Sequence, residues 1–450
     1  MTAPFVPHTD EEISEMLAFL GLESLDDLFE TVPAAIRLAG GLDLAPGASE
    51  ADVLDRLDEL AARNRPTGRH LVCFAGAGAY DHEIPAVVKA LASRSEFVTA
   101  YTPYQPEVAQ GVLQAIFEFQ SMTARLAGLE ISNASLYDGA VALVEASNLA
   151  TVATGNRRVL CSAGVNPRWR ETLATFSKGS GHELETVPLG PDGTTDWSAI
   201  AAAPAGGILV ASPNFLGCIE DLGPARAAAD ASGARLVVAF DPVSSGVLRT
   251  PGSAGADVVV GEGQALGTPL GFGGPYLGLF TCRLSDVRRL PGRLVGETVD
   301  TESRPAYVTT LRAREQDIRR EHASSNVCTN QTLMAVTAAI QLGWLGTAGL
   351  REVALRSARA SRYLREALLA LPTTEPVTTA PTLREFAVRT PAPATTLVER
   401  LVDAGFLAGV PVVEGFEDTR LEESLLVAAT ERRTRAEIDA FAAAFEKASR

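Results

Sequence analysis

The stretch that most constrains the fold of this chain spans residues 235–280. It holds three short apolar runs bounded by Gly, Pro and Ser, at 236–240, 258–260 and 277–280. Runs of this length and β-rich composition are typical of buried strands rather than helices. The first run ends in Asp241, and ligands of open α/β sheets usually bind at the C-terminal edge of the strands. The stretch therefore predicts neighbouring core strands with an acidic side chain at a ligand-binding edge.

The second of these strands runs directly into a tight turn at residues 261–267. A strand-end acid followed by such a turn resembles the large domain of fold-type-I pyridoxal phosphate (PLP) enzymes. In those enzymes the acid pairs with the pyridine nitrogen, and a lysine on the turn forms the Schiff base. This turn has no lysine, and arginine makes no comparable imine because its guanidinium stays protonated. The chain has only three lysines, each in an ordinary surface context: Lys89, Lys178 and Lys447.

Composition and charge narrow the classes of function. A net charge of −16 argues against nucleic acid or an anionic membrane as partner, because both need a cationic face. The five cysteines form no C-x-x-C pair, so we predict neither a disulfide framework nor a metal site. The N-terminus lacks the basic region of a signal peptide, and we expect no run of membrane-spanning length. We therefore expect a soluble cytoplasmic protein.

The pattern along the chain predicts three parts. Residues 1–65 form a helical arm, which either covers the body or embraces a second subunit; Thr9 and Glu12 make a capping box at its first helix. Residues 66–345 alternate strands and helices, which implies an α/β domain with a mainly parallel sheet. The resemblance to PLP transferases implies a seven-stranded sheet there. Residues 346–450 indicate an α+β small domain.

Two loops carry polar side chains that suit a pocket. One follows a predicted strand at 71–74 and places His82 at a helix start, where a histidine is more often a surface or capping residue. The other follows residues 96–101, which we predict to be a strand, and two prolines stiffen it. Its hydrogen-bonding side chains are Tyr101, Thr102, Tyr104 and Gln105. Such loops often recognise a ligand, although buried tyrosines in a simple connection are equally consistent with the pattern.

A third loop, residues 133–139, leads from a strand into a long helix and begins with Asn133. Fold-type-I enzymes bind the cofactor phosphate at such a helix N-terminus, using free N–H groups and the helix dipole. Here the tip of the loop is bulky and contains Asp138, which would repel a phosphate. We predict that Asp138 caps the helix instead.

Five segments together resemble subunit 1 of the P-protein of the glycine cleavage system, over essentially the whole chain. They are FAGAGAYDHEIP, TAYTPYQPEVAQG, ISNASLYDGAVALVEA, SPNFLGCIED and GEGQALGTPLGFGGPYLGLF. In split P-proteins of this family, subunit 2 carries the PLP lysine and subunit 1 lacks it. The resemblance implies that Ala265 stands where subunit 2 has its lysine. It also implies that Asp241 is a relic of the acid that pairs with the pyridine nitrogen.

The resemblance further implies the activity and the partners. Subunits 1 and 2 together decarboxylate glycine with PLP held covalently by subunit 2, and the aminomethyl group passes to the lipoyl arm of H-protein. The assembly is a heterodimer or a dimer of heterodimers (a heterotetramer), and this chain alone has no catalytic residue. We expect one set of side chains to line the active-site entrance at the subunit interface: His82, Tyr101, Thr102, Tyr104, Gln105 and Asn133.

Two other interpretations remain open from the sequence. A self-sufficient PLP enzyme would need Lys89 or Lys178 buried beside Asp241. A non-enzymatic scaffold would only stabilise its partner, which fits the missing lysine and the obstructed phosphate loop. The polar aromatic loop around Tyr104 instead favours a shared active site.

Overall fold

In the computed structural model, the strands predicted around Asp241 lie in the middle of a seven-stranded sheet. The structure describes residues 7–38, 42–200, 203–323, 325–412, 421 and 423–450. Contacts divide the chain into two units, 1–64 and 65–450. The boundary between a large and a small domain at residue 345 stays a prediction.

The first unit contains two α-helices in its described residues, α1 (Asp10–Leu20) and α2 (Glu50–Ala61). Short 3-10 turns lie between them at Leu25–Phe29 and Ala34–Ile36. The Thr9 hydroxyl accepts a hydrogen bond from the Glu12 N–H, and the Glu12 carboxylate accepts one from the Thr9 N–H. The predicted capping box at the start of α1 is therefore confirmed.

The second unit holds the sheets and the remaining helices. Its strands are β1 (Val72–Cys73), β2 (Ile131–Ser132), β3 (Arg158–Ser162), β4 (Glu183–Val187), β5 (Gly207–Ser212), β6 (Arg235–Phe240), β7 (Val258–Glu262), β8 (Gly278–Cys282), β9 (Leu294–Val299), β10 (Pro305–Thr310), β11 (Glu375–Pro376), β12 (Glu385–Arg389), β13 (Phe406–Leu407), β14 (Val410–Pro411) and β15 (Ser424–Ala428). Its helices are α3 (Ala86–Ala92), α4 (Ser95–Val98), α5 (Gln110–Ala127), α6 (Gly139–Thr154), α7 (Pro167–Ser180), α8 (Leu222–Ser232), α9 (Gln316–Arg319), α10 (Thr332–Leu369), α11 (Ala394–Asp403) and α12 (Arg435–Ala448).

The central sheet has the strand order β2-β8-β7-β6-β5-β3-β4. The five strands from β7 to β4 are parallel, whereas β8 runs antiparallel to both of its neighbours. The prediction of a mainly parallel seven-stranded sheet is therefore confirmed. Because the parallel strands end at one edge, the loops after β5, β6 and β7 lie side by side there.

Helices cover both faces of this sheet, and the alternation along β6 shows how. Leu236 and Val238 pack into one cluster with Phe119 of α5, while Val237 packs into the other with Leu143 of α6. All four strand residues from 236 to 239 are buried. Burial on both faces explains why the strand appears as a continuous apolar run rather than an alternating one.

A second, four-stranded sheet near the C-terminus has the antiparallel order β11-β12-β15-β14. Its core is aromatic and includes Phe386, Phe441 and Phe445. The predicted strand at 71–74 contributes to this region rather than to the central sheet, because β1 pairs with β13 and Phe74 joins the same cluster.

Two expectations from the sequence are wrong. Residues 96–101 form no strand: Ser95–Val98 is a helical turn, in which the Thr99 N–H bonds to the Ser95 carbonyl at 3.1 Å. An apolar segment of membrane-spanning length is present, because α10 has 38 residues and a mean hydropathy of 1.4 over its most apolar 18-residue window. However, 44% of that window is buried, and Ala335 and Ala338 belong to a cluster on the central sheet, so α10 is packed as a core helix.

We expect Phe441→Ala to destabilise the second unit by about 3–5 kcal/mol, because it leaves a cavity in a close-packed core. Phe441 is fully buried and stacks on Phe74 with ring centroids 4.2 Å apart. Urea unfolding measures the loss. The matched control is Phe272→Ala, since Phe272 is 94% exposed and should change stability by no more than about 0.5 kcal/mol. Equal losses in the two variants would contradict the prediction.

Candidate functional site

Asp241 follows directly after the last residue of β6, as predicted. Its carboxylate accepts a hydrogen bond from the Val243 N–H at 3.0 Å and pairs with the Arg384 guanidinium at 2.9 Å. Ala265, on the turn after β7, is buried in a small apolar cluster with Val243 and Ala354. Both predicted relic positions therefore border the short segment after β6, but Asp241 already has a cationic partner.

Arg384 is the site residue that the sequence analysis missed. It directly precedes β12 on the C-terminal sheet and is only 5% exposed. Its guanidinium carbon lies 3.5 Å from the centroid of the Tyr80 ring, and the same group donates a hydrogen bond to Nε2 of His82. A planar, permanently charged guanidinium suits simultaneous stacking and pairing. No local pattern could identify Arg384, because its partners are distant along the chain.

His82 is buried rather than lying at the surface. Arginine can only donate, so Nε2 of His82 accepts and its Nδ1 carries the proton. That proton is donated to Glu431, 2.7 Å away. Burial raises the pKa of Glu431, but the contacts with His82 and the hydrogen bond from the Glu83 N–H together outweigh burial and bring the pKa to about 2. His82 thus links Arg384 to a second carboxylate.

Glu385 holds the loop that follows β1. Its carboxyl group accepts hydrogen bonds from the Ala77 N–H at 2.6 Å and from the Tyr80 hydroxyl at 2.7 Å. Burial raises the pKa of Glu385 to about 7, although these two bonds and Arg384 oppose the shift. Burial also raises the pKa of Tyr80 well above its usual value, so its hydroxyl stays protonated and donates.

Two carboxyl groups occupy the N-terminus of α6, where fold-type-I enzymes bind the cofactor phosphate. Asp138 accepts a bond from the Val141 N–H at 2.8 Å, which confirms it as the cap. Glu262, the last residue of β7, accepts three backbone N–H bonds of 2.9 to 3.0 Å, from Gly139, Gln264 and Leu277. Burial raises the pKa of Glu262 to about 7 against the effect of these bonds. The protein's own oxygens therefore take N–H groups that a phosphate would need.

A cavity of about 80 Å³ remains among these groups, which we call the relic pocket. It is lined in part by Tyr80, Asp241, Glu262, Arg384 and Glu385. Pockets for small ligands typically measure roughly 300–1,000 Å³. With a cation on the strand-end acid, a carboxyl group at the helix N-terminus and little free space, these residues do not fit PLP.

The lysines settle one of the open interpretations. Lys89 lies on α3, Lys178 on α7 and Lys447 on α12, and all three are exposed. None is among the residues described as lining the relic pocket. A self-sufficient PLP enzyme requires a buried lysine beside Asp241, so that hypothesis is wrong.

A second and much larger cleft, of about 1240 Å³, lies beside the predicted polar aromatic loop. Tyr101, Thr102 and Tyr104 line it together with apolar side chains, among them Leu91, Phe97 and Val112. Tyr101 is 82% exposed and Tyr104 about half exposed. We call this open region the aromatic cleft.

Tyr104 is supported from behind by a buried arginine. Arg293 Nη2 donates to the Tyr104 hydroxyl at 2.7 Å, and the guanidinium carbon lies 4.7 Å from the ring centroid. Arg293 Nη1 in turn donates to Asn330 Oδ1 at 3.2 Å. Asn330 donates to the Ser135 hydroxyl, and the Ser135 N–H donates to Asn133. A chain of hydrogen bonds thus connects the aromatic cleft to the loop before α6.

The six side chains predicted to line one entrance are divided between different places. Tyr101, Thr102 and Tyr104 line the aromatic cleft, and Gln105 is exposed next in the chain. His82 is buried beside Arg384, while Asn133 is fully buried and contributes only through the chain of hydrogen bonds. The prediction that they face the active-site entrance at a subunit interface stays a prediction.

Comparison with known proteins adds family evidence. A family model described as "Glycine cleavage system P-protein" matches residues 3–445. Relatives named probable glycine dehydrogenase (decarboxylating) subunit 1 include proteins from Moorella thermoacetica and Chlorobium chlorochromatii. The first is 47% identical and the second 46% identical, and each alignment covers 98% of this chain and 98% of the relative.

Solved structures agree. The chain is similar to a crystal structure of glycine decarboxylase (P-protein) of the glycine cleavage system in inhibitor-bound form, with 46% identity and a TM-score of 0.90. The match covers 99% of this chain and 100% of that one. Glutamate decarboxylase from Lactobacillus brevis, at 14% identity and a TM-score of 0.67 over 92% of this chain and 96% of that one, shows the fold alone. The predicted fold-type-I PLP-transferase fold is confirmed.

We expect Glu385 to make stability depend on pH. Its folded pKa of about 7 lies above the usual 4.5, so between these values the folded chain binds more protons than the unfolded chain. This contribution therefore falls as pH rises from 4.5 through about 7. Glu385→Gln should flatten the pH dependence of the urea midpoint over that range. The same substitution at exposed Glu399 is the control, and an unchanged slope in the Glu385 variant would refute the expectation.

Proposed function

Because the chain belongs to the glycine cleavage system P-protein family, we propose that it is the subunit that completes the glycine-decarboxylating enzyme without holding its cofactor. The observation that carries this proposal is the relic pocket. Its acid, Asp241, is paired with Arg384, its lysine position is Ala265, and Glu262 caps the helix N-terminus. The fold of a PLP enzyme is present, whereas the means of binding PLP are absent from the described pocket residues.

The partner in this proposal is subunit 2 of the same enzyme, which the subunit 1 names of the relatives imply. We assign the covalently bound PLP to that subunit. When bound there, PLP supplies an electron sink for the bond that breaks as glycine loses CO2. The assembly is a heterodimer or a heterotetramer in the cytoplasm, and lipoylated H-protein accepts the aminomethyl group.

This chain contributes one wall of the shared site, and the aromatic cleft is the surface we assign to it. Its apolar side chains, such as Leu91 and Val112, suit the hydrocarbon part of a lipoyl arm. Tyr104 is held in place by Arg293, so its ring and hydroxyl are oriented before anything binds. An exposed aromatic loop supported by a buried arginine is also typical of residues that anchor a protein interface.

A non-enzymatic scaffold is the second candidate function, and the filled relic pocket favours it. Under that hypothesis this chain only stabilises subunit 2, and nothing in the aromatic cleft approaches glycine or the lipoyl arm. The two candidates differ in what happens when the cleft is altered without disturbing assembly.

We expect borohydride reduction in the presence of PLP to label only the partner. Intact mass is measured on this chain alone and on its mixture with subunit 2, and the reduced pyridoxyl group should appear on subunit 2. The physical reason is that all three lysines of this chain are exposed, and none of them lines the pocket that contains Asp241. Stoichiometric labelling of this chain at one lysine would overturn the assignment of PLP to the partner.

We expect Tyr104→Ala to lower glycine–bicarbonate exchange by the assembled enzyme, on the order of 10- to 100-fold, because an oriented group is lost from the site. Gln105→Ala should act in the same direction. Tyr104→Phe, which retains the ring over Arg293, should be affected less. Gel filtration checks that assembly is intact.

The control for the cleft variants is Tyr363→Ala on α10, where the tyrosine hydroxyl bonds to Asp439 at 2.6 Å, outside the aromatic cleft. It should leave exchange near the unaltered value. Unchanged exchange in the Tyr104 variant, with intact assembly, would support the scaffold instead.

A further inference from the structure

We propose that Arg384 and Glu262 are internal replacements for the two charged ends of a PLP molecule, so that the chain fills its own relic pocket, and that Arg384 also joins its two sheets. The proposal concerns this chain by itself. It does not depend on which partner completes the enzyme.

Arg384, the cationic replacement, lies beside Asp241. In a fold-type-I cofactor site the strand-end acid faces a protonated, planar aromatic nitrogen. Here it faces a planar guanidinium at 2.9 Å, which also stacks at 3.5 Å on the Tyr80 ring. Arg384 therefore provides the same charge and the same flat shape from within the chain. The Asp241 carboxylate therefore needs no cationic ligand from solution, because the guanidinium of Arg384 is always protonated.

Glu262, the anionic replacement, lies at the other end of the relic pocket, at the N-terminus of α6. Glu262 accepts the N–H of Gly139, the first residue of that helix, and two further N–H groups from the turn that follows β7 and from the residue before β8. Helix N-termini favour anions because their first N–H groups point outwards and the helix dipole is positive there. A carboxyl group in this position provides the acceptor oxygens that a phosphate would bring.

Space and neighbours support the same interpretation. The relic pocket, of about 80 Å³, is bordered by both replacements. The indole of Trp169 also lines the pocket and packs closely on Gly139, where an added Cβ would lie 2.2 Å from that ring. The residual volume is well below the roughly 300–1,000 Å³ that is typical of pockets for small ligands.

Arg384, together with the neighbouring Glu385, also acts as a joint. Arg384 and Glu385 lie at the start of β12 in the C-terminal sheet, whereas Asp241 lies at the end of β6 in the central sheet. Glu385 binds Ala77 and Tyr80 on the loop after β1. Buried charges joined in this way are costly to break, because removing one partner leaves the other unpaired. The joint therefore holds three distant segments at one sheet edge.

The first test restores the lysine. Ala265→Lys, expressed alone and treated with PLP and borohydride, should remain without a pyridoxyl group at position 265, because the charged contacts of the cofactor are already taken. Circular dichroism confirms that the variant is folded. Stoichiometric labelling at position 265 would overturn the proposal, since it would show that the missing lysine alone prevents binding.

The second test stands even if the lysine variant fails to fold. We expect Asp241→Asn and Arg384→Gln each to lower the melting temperature, and the double variant to recover most of that loss because no unpaired charge remains. The matched control is the exposed pair Glu352 and Arg356, 2.7 Å apart, changed to Gln singly and together with little effect. Simply additive losses in the Asp241 and Arg384 variants would overturn the cationic half of the proposal.

The third test concerns the anionic half. Glu262→Ala should lower the melting temperature, and inorganic phosphate should restore part of the loss more than chloride does at equal ionic strength. Glu262→Gln, which keeps an acceptor oxygen at the helix N-terminus, should show no such rescue, and neither should the unaltered chain. Equal effects of phosphate and chloride on the Ala variant would overturn this half.

Discussion

A carboxylate at the end of β6 imposes the constraint from which the rest of the relic pocket follows. Asp241 is largely enclosed, and an enclosed charge without a partner costs several kcal/mol. Arg384 meets that requirement and, being planar, stacks on Tyr80 at the same time. Its Nη1 donates to His82, which in turn donates to Glu431. One buried charge therefore determines the positions of side chains from three distant parts of the chain.

At the opposite end of the pocket, the groups that need partners are backbone N–H donors. The first N–H groups of α6 need acceptors, and Asp138 and Glu262 provide them. The fold thus has the two features with which fold-type-I enzymes bind their cofactor, a strand-end acid and a helix N-terminus, and satisfies both internally. A fold therefore indicates where a site would be, whereas the residues present decide whether anything binds there.

The relic pocket and the aromatic cleft differ in a way that bears on how the chain works. The relic pocket is small and its polar groups are mutually paired, so it adds rigidity at the edge where the two sheets meet. The aromatic cleft is large and open, with half-exposed Tyr104 oriented by a buried arginine. Rigid support behind an accessible surface is consistent with the proposed role of this cleft as one wall of a shared site.

Local patterns in the sequence were sufficient for several features of this protein. The apolar run before Asp241 predicted a core strand with an acid at its end, and the position of Asp138 predicted a helix cap, because both depend on neighbouring residues. The absence of a lysine from the turn required only counting. The helical turn at Ser95–Val98 was mistaken for a strand, because runs this short have no clear period.

Only the tertiary structure decided which residues fill the relic pocket. Arg384 lies 302 positions from His82, and Glu262 lies 123 positions from Gly139, so no local pattern connects them. The same holds for Asn133, whose side chain donates to the distant carbonyl of Pro291. Periodicity and capping report on contacts within a few residues, whereas the pairing of buried charges depends on where the folded chain brings distant segments together.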